Sequence, residues 1–284
     1  MLERRVLHVY SRPTVGQRRG GKEHYTITIM DEINLEQIEF DGRFVAKCNF
    51  MGKEINLLVD TGSTASRIGV MAAQDFQKKD YYDKKYVEGE LKIQDCTFGC
   101  RKLFLEDENF NLSAVNDFLK DKYKIDGLLG MDFLTFVPYT LDFRSKPGKG
   151  CLNSSRSGKE WQKLDVCMPE TLCPQVHVKV GNHCEWMLLD TGATHVECDQ
   201  IKREVTWEIH TMPNCKYGTS NFYGRKSLRY FKEKQIELVG NPSVKIPKLI
   251  LSNNPVIGVA AFEKFALHYD GKGNYYIARK IGAP

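Results

Sequence analysis

No apolar run in this 284-residue chain approaches the ~18 to 20 residues that a membrane-spanning helix needs. The opening, Met1-Leu-Glu-Arg-Arg-Val-Leu-His-Val-Tyr10, also lacks the apolar core of a signal peptide. The expectation is a soluble chain whose compartment stays open, with a lean to the cytoplasm. Charge of one sign is equally scarce. Lys and Arg number 41 against 36 Asp and Glu, a formal +5, and so slight a bias gives no reason to expect nucleic acid or membrane as a partner. The nine cysteines (Cys48, Cys96, Cys100, Cys151, Cys167, Cys173, Cys184, Cys198 and Cys215) are an odd number without zinc-ribbon or zinc-finger spacing, so no metal is expected.

What is present is ordinary globular composition, 42% hydrophobic and 27% charged, in a chain about twice the commonest domain size. That excludes wholesale disorder and a coiled-coil rod. Residues 1–35 hold six basic and no acidic residues between Arg4 and Lys22, which reads as a solvated arm or a pro-segment. The rest repeats itself. Leu57-Leu-Val-Asp60-Thr61-Gly62-Ser63-Thr64 returns 130 residues later as Met187-Leu-Leu-Asp190-Thr191-Gly192-Ala193-Thr194. Downstream, Asp126-Gly-Leu-Leu-Gly130-Met-Asp-Phe-Leu134 is echoed by Pro255-Val-Ile-Gly258-Val-Ala-Ala-Phe262. One unit has been used twice with its internal spacing nearly kept.

Each unit reads as mainly β. Short β-branched and aromatic runs are separated by Gly, Asn and Asp, and an apolar strand ends abruptly at each Asp-Thr-Gly. A helical patch is expected over 113–123, with Ser113 as N-cap, and short helices after Gly130 and Gly258. The boundaries fall at 36–143 for the first unit and 166–284 for the second. Between them, 144–165 is rich in Gly, Ser and Lys and reads as a linker. A single apolar-apolar-Asp-Thr-Gly is explained by a self-capping turn. Two at matched positions, each followed by an apolar-apolar-Gly, are not.

The pair resembles the active-site signature of aspartic proteases, the retropepsin-like branch in particular, over roughly residues 36 to 280. The resemblance implies an all-β, bilobal double β-barrel with a few short helices, retropepsin- or pepsin-like. Viral retropepsins assemble two identical lobes, whereas both copies here lie in one chain, which implies a monomer with pseudo-twofold symmetry. It also implies an aspartic endopeptidase acting on a peptide or protein substrate, with no metal or organic cofactor. Asp60 and Asp190 would be the catalytic pair. Thr61, Gly62 and Ser63, with Thr191, Gly192 and Ala193, would support the two loops. The flap that such enzymes fold over substrate has a candidate in Tyr217-Gly218-Thr-Ser-Asn221-Phe222-Tyr223-Gly224. The corresponding stretch of the first unit, Lys84-Lys-Tyr86-Val-Glu-Gly89, is either a shorter flap or an exposed turn.

The chemistry needs those residue types. Peptide hydrolysis requires a base to activate water and an acid to protonate the carbonyl oxygen and leaving amine. Two carboxyls about 3 Å apart at an effective dielectric near 20 repel by about 5 kcal/mol when both are charged, so one proton is retained between them. This is the arrangement of aspartic proteases in general, and its titration belongs to the pair. Ser63 faces Ala193 in the repeat, so a hydroxyl donated to Asp60 would make Asp60 the more ionised partner. His195 reads as a bystander, and Asp126 and Asp132 as structural. Two other classes compete: a non-catalytic peptide-binding protein on the same scaffold, and an actin-like ATPase. The β-rich repeat lacks the α/β phosphate loops that the ATPase would need.

Overall fold

The computed structural model describes residues 6–10, 24–28, 32–39, 42–106, 112, 116, 119, 123–156, 160–199, 208–219, 222–238 and 243–279. These are mostly strand, 54% against 6% helix, as the all-β expectation holds. In the first half the strands are β1 (Val6–Tyr10), β2 (His24–Thr28), β3 (Ile33–Gln37), β4 (Phe44–Phe50), β5 (Lys53–Val59), β6 (Arg67–Ile68) and β7 (Lys79–Tyr81). They continue with β8 (Lys84–Ile93), β9 (Cys96–Leu105) and β10 (Gly127–Leu129), then helix α1 (Met131–Leu134), β11 (Tyr139–Asp142) and β12 (Lys149–Leu152). The second half begins with β13 (Gln162–Lys163), β14 (Val166–Cys167), β15 (Gln175–Val180), β16 (His183–Leu189) and β17 (Val196–Asp199). It ends with β18 (His210–Thr219), β19 (Phe222–Leu238), β20 (Ser243–Ser252), β21 (Val256–Ile257), a 3-10 turn (Val259–Phe262), β22 (Phe265–Tyr269) and β23 (Tyr275–Arg279).

The duplicated sequence is duplicated in strand pairing. β4, β5, β10, β6, β9 and β8 pair in that order, and β8 returns to β4, closing a six-stranded barrel. β15, β16, β21, β17, β20 and β19 follow the same order and the same alternation of parallel and antiparallel neighbours, and β19 returns to β15. The alternation of side chains explains why. Along β5, Ile55, Leu57 and Val59 face the interior, as Met187 and Leu189 do along β16. Outside the first barrel, Ile38, Val45, Leu58 and Leu128 are covered by Leu112 and Leu119, which belong to a helical segment. Most of the helix expected over 113–123 lies outside the described residues. Its Asn116 closes on Ile125, donating to the carbonyl at 2.9 Å and accepting from the amide at 2.7 Å.

A further sheet joins the halves, in the order β13-β23-β22-β11-β12-β3. Its central pair, β11 with β22, sets Tyr139 opposite Tyr269 and Leu141 opposite Leu267, all fully buried or nearly so. The Tyr139 and Tyr275 hydroxyls meet at 3.0 Å, and the Tyr269 hydroxyl donates to the Thr135 carbonyl. The stretch 144–165, whose composition reads as a linker, supplies two strands of this sheet, β12 and β13. Leu141→Ala removes a buried side chain from the one strand pair that links the halves in this sheet. It is expected to destabilise the protein by about 2–5 kcal/mol, measured as a lower urea midpoint.

Candidate active site

Each Asp-Thr-Gly begins where a strand gripped on both sides runs out. β5 lies between β4 and β10, and β16 between β15 and β21. The Asp60 amide donates to the Leu129 carbonyl at 3.1 Å and the Asp190 amide to the Ile257 carbonyl at 3.0 Å. The turns that follow β10 and β21 then bind back onto the loops. Met131 and Asp132 amides donate to the Ser63 and Thr64 carbonyls, and Val259 and Ala260 amides to those of Ala193 and Thr194. The apolar-Gly segments of the repeat are therefore the braces of the Asp loops.

The loops meet. The Thr61 hydroxyl donates to the Leu189 carbonyl at 2.5 Å and accepts the Thr191 amide at 3.0 Å. The Thr191 hydroxyl donates to the Val59 carbonyl at 2.8 Å and accepts the Thr61 amide at 3.1 Å. Both threonines are buried, so these four bonds form where water cannot substitute. The crossing places each carboxyl over the other loop's glycine. A Cβ at Gly62 would sit 2.6 and 2.8 Å from the Asp190 oxygens, and one at Gly192 would sit 2.8 Å from both Asp60 oxygens. Only glycine leaves that room.

Asp60 Oδ1 accepts the Gly62 and Ser63 amides at 2.9 and 3.1 Å, and Asp190 Oδ1 accepts those of Gly192 and Ala193 at 2.8 and 3.0 Å. The two carboxyls are close enough to act on one another's protonation. Burial first, then the charge of Asp190, pushes Asp60 well above the usual carboxylate range. Burial raises Asp190 too, and it is opposed by the contact with Asp60, by the two amides and by the Arg43 guanidinium. Such a pair retains one proton where isolated carboxyls have lost theirs, which supplies an acid and a base at one point.

The Ser63 hydroxyl does not touch Asp60. It donates to the Ala65 carbonyl at 2.8 Å, a nearer acceptor within its own turn, so the expected stabilisation of an ionised Asp60 by this group is corrected. Asp132 is structural: its Oδ1 accepts the Ser66 amide and hydroxyl at 2.8 and 2.7 Å, and Ser66 Oγ in turn accepts the Gly130 amide. The second copy has Val196 and Ala260 at these positions, and there the Gly258 amide goes to the His195 carbonyl. Asp126 ties strands together, accepting the Asn56 amide at 3.0 Å. Two residues that the sequence reading missed also reach the loops. Arg43 Nη1 donates to the Gly192 carbonyl at 3.1 Å, and Cys173 Sγ to the Gly62 carbonyl at 3.4 Å. Their signal was in the repeat, since each lies 17 residues before its Asp.

The flap candidates occupy hairpins at equivalent places. β18 and β19 pair with Tyr217 opposite Gly224, Gly218 opposite Tyr223 and Thr219 opposite Phe222, while Asn221 lies outside the described residues. In the first half the stretch 84–89 is strand, not turn. The tip of its hairpin is Tyr82-Asp83, with Tyr82 fully projecting, and Tyr86 packs its ring beside Tyr81 and Phe104. Among the described residues no helix is long and apolar enough to cross a membrane. No known family model matches the chain, and neither does any curated protein.

Thr61→Val keeps the shape and removes one donor and one acceptor from the crossing. It is expected to lower stability by about 2–4 kcal/mol by denaturant titration, with Thr61→Ser close to wild type. Each raised carboxyl binds its proton more tightly folded than unfolded, so stability falls as pH rises from the ordinary Asp range near 4 toward the folded values. Asp60→Asn relieves this, and its melting temperature is expected to exceed wild type at pH 7 by more than at pH 4.

Proposed function

We propose that this protein is an aspartic endopeptidase of the retropepsin-like kind, with two lobes of one chain forming a bilobal double barrel and a single site between them. The observation that carries the reading is the contact of the two duplicated Asp-Thr-Gly loops, each carboxyl set over the other loop's glycine and the threonine hydroxyls exchanged. A turn with only a structural role has no use for two buried acids that repel, since holding them together destabilises the fold.

In this reading the ionised carboxyl draws a proton from a water, whose oxygen attacks the scissile carbonyl carbon. The protonated carboxyl gives its proton to the carbonyl oxygen, and collapse of the tetrahedral species delivers a proton to the departing amine. No metal or organic cofactor enters this scheme. The peptide or protein substrate would be gripped beneath the unequal hairpins, through Tyr86 on one side and Gly218, Asn221, Phe222 and Tyr223 on the other. The protein would work as a monomer with pseudo-twofold symmetry, since both halves of the site are in one chain.

The test is cleavage of a denatured protein substrate between pH 3 and 7, with and without pepstatin. Wild type is expected to cut and to be blocked by the inhibitor. Asp60→Asn and Asp190→Asn are each expected to lose at least about 10²–10⁴-fold in rate. Pepstatin binding without cleavage by wild type would instead describe a scaffold that holds peptides, and equal cleavage by either Asn variant would place the chemistry elsewhere.

A further inference from the structure

The two halves of the site are alike in backbone and unlike in one charge. Arg43 and Cys173 are counterparts in the repeat, each just before the first strand of its barrel, and each reaches across to the other half's loop. Both are buried, at 6% and 5% exposure. Arg43 holds the carbonyl of Gly192, whose amide is itself bonded to Asp190. Cys173 holds the carbonyl of Gly62, whose amide is bonded to Asp60. The geometry is twofold, and only one side of it carries a cation.

Among the described residues, the other groups near the pair do not break the tie. Each Asp accepts two loop amides at closely matched distances. The Ser63 hydroxyl, the one polar difference within the loops, is engaged with Ala65. Cys173 stays a neutral thiol, because burial and the two nearby carboxyls push it up to about 12. His195 follows the Asp190 loop, and burial, with the charges of Lys248 and Arg43 set against that of Glu197, holds its imidazole below the usual range.

We propose that Arg43 is a positioning residue that makes Asp190 the ionised member of the pair and leaves the shared proton on Asp60. This rests on the aspartic-peptidase reading and assigns the roles within it. Asp190 takes the proton of the attacking water as its oxygen bonds to the carbonyl carbon. Asp60 gives its proton to the carbonyl oxygen, which receives the π electrons. When the C–N bond breaks, the amine nitrogen is protonated by Asp190, and a hydroxyl proton of the tetrahedral species returns to Asp60, restoring the starting state. A nearly symmetric cleft thereby acquires a sense, with the substrate carbonyl directed at Asp60. Burial raises both carboxyls, and the guanidinium opposes that rise at Asp190.

Two measurements test this. In the pH profile of kcat/KM, Arg43→Gln is expected to move both limbs upward by about 1 pH unit, because a cation that favours the anionic pair favours each of its ionisations. Arg43→Lys, which keeps the charge, is expected to bring both limbs back toward wild type, and Cys173→Ala to move neither. A residue that merely braced the loop would lower the peak and leave the limbs in place, and that result would overturn the proposal. The second measurement is the carboxyl ¹³C titration of aspartate-labelled wild type, with signals assigned through Asp60→Asn and Asp190→Asn. Asp190 is expected to ionise first, and Asp60 ionising first would overturn the proposal even where Arg43→Gln fails to fold. This titration needs no substrate. A protein that neither cleaves nor binds pepstatin would therefore end the peptidase reading while the charge order is still read directly.

Discussion

The constraint on which the meeting of the two loops turns is that two like acids are held in contact. Left to themselves, charged carboxyls a hydrogen bond apart separate or become solvated. Here the exchange of hydroxyls and amides between Thr61 and Thr191 forbids separation, and each bond of that exchange is shut away from water. The braces from Leu129 and Ile257 prevent the loops from retreating along their strands. Retention of a proton is then the least costly way to relieve the repulsion, so an acid–base pair follows from the backbone's rigidity as much as from the side chains.

The architecture that enforces this was partly legible in the residues. Two Asp-Thr-Gly copies at one offset, each with its apolar-Gly partner, located both loops, both braces and the short helical turns after Gly130 and Gly258. The joining sheet was hidden. Residues 144–165 look like a linker because Gly, Ser and Lys dominate them, yet β-ladders are made by the backbone and tolerate such side chains. Gly150 is an instance: a Cβ there would fall 2.6 Å from the Phe44 ring, so its place in the strand is set by a neighbour distant in sequence. Ser63 misled for the opposite reason. Its position beside Asp60 pointed to the acid, but a short side chain in a turn finds a backbone acceptor close by, and the Ala65 carbonyl is closer.

Arg43 and Cys173 show a different limit. They sit outside the motif, before the strand that carries it, and nothing about an isolated Arg or Cys announces a reach across to another barrel. What joins them to the site is the strand pairing of the second half against the first. The same holds for the triad of Ser66, Asp132 and the Gly130 amide, which braces one loop through side chains where the other relies on the His195 carbonyl. The repeat therefore preserves hydrogen-bonding positions while the atoms that fill them change.

That latitude has a consequence for how the molecule can evolve. When a pocket is assembled from two copies of one polypeptide, every substitution is suffered twice, and an arginine useful on the left arrives unbidden on the right. Covalent fusion of the halves lifts that restriction. A 17-residue β19 can stand opposite a β8 of 10, and a thiol can answer a guanidinium, without either change being imposed on its twin. Descent from an ancestor with interchangeable sides would then leave a left and a right in the present pair of loops.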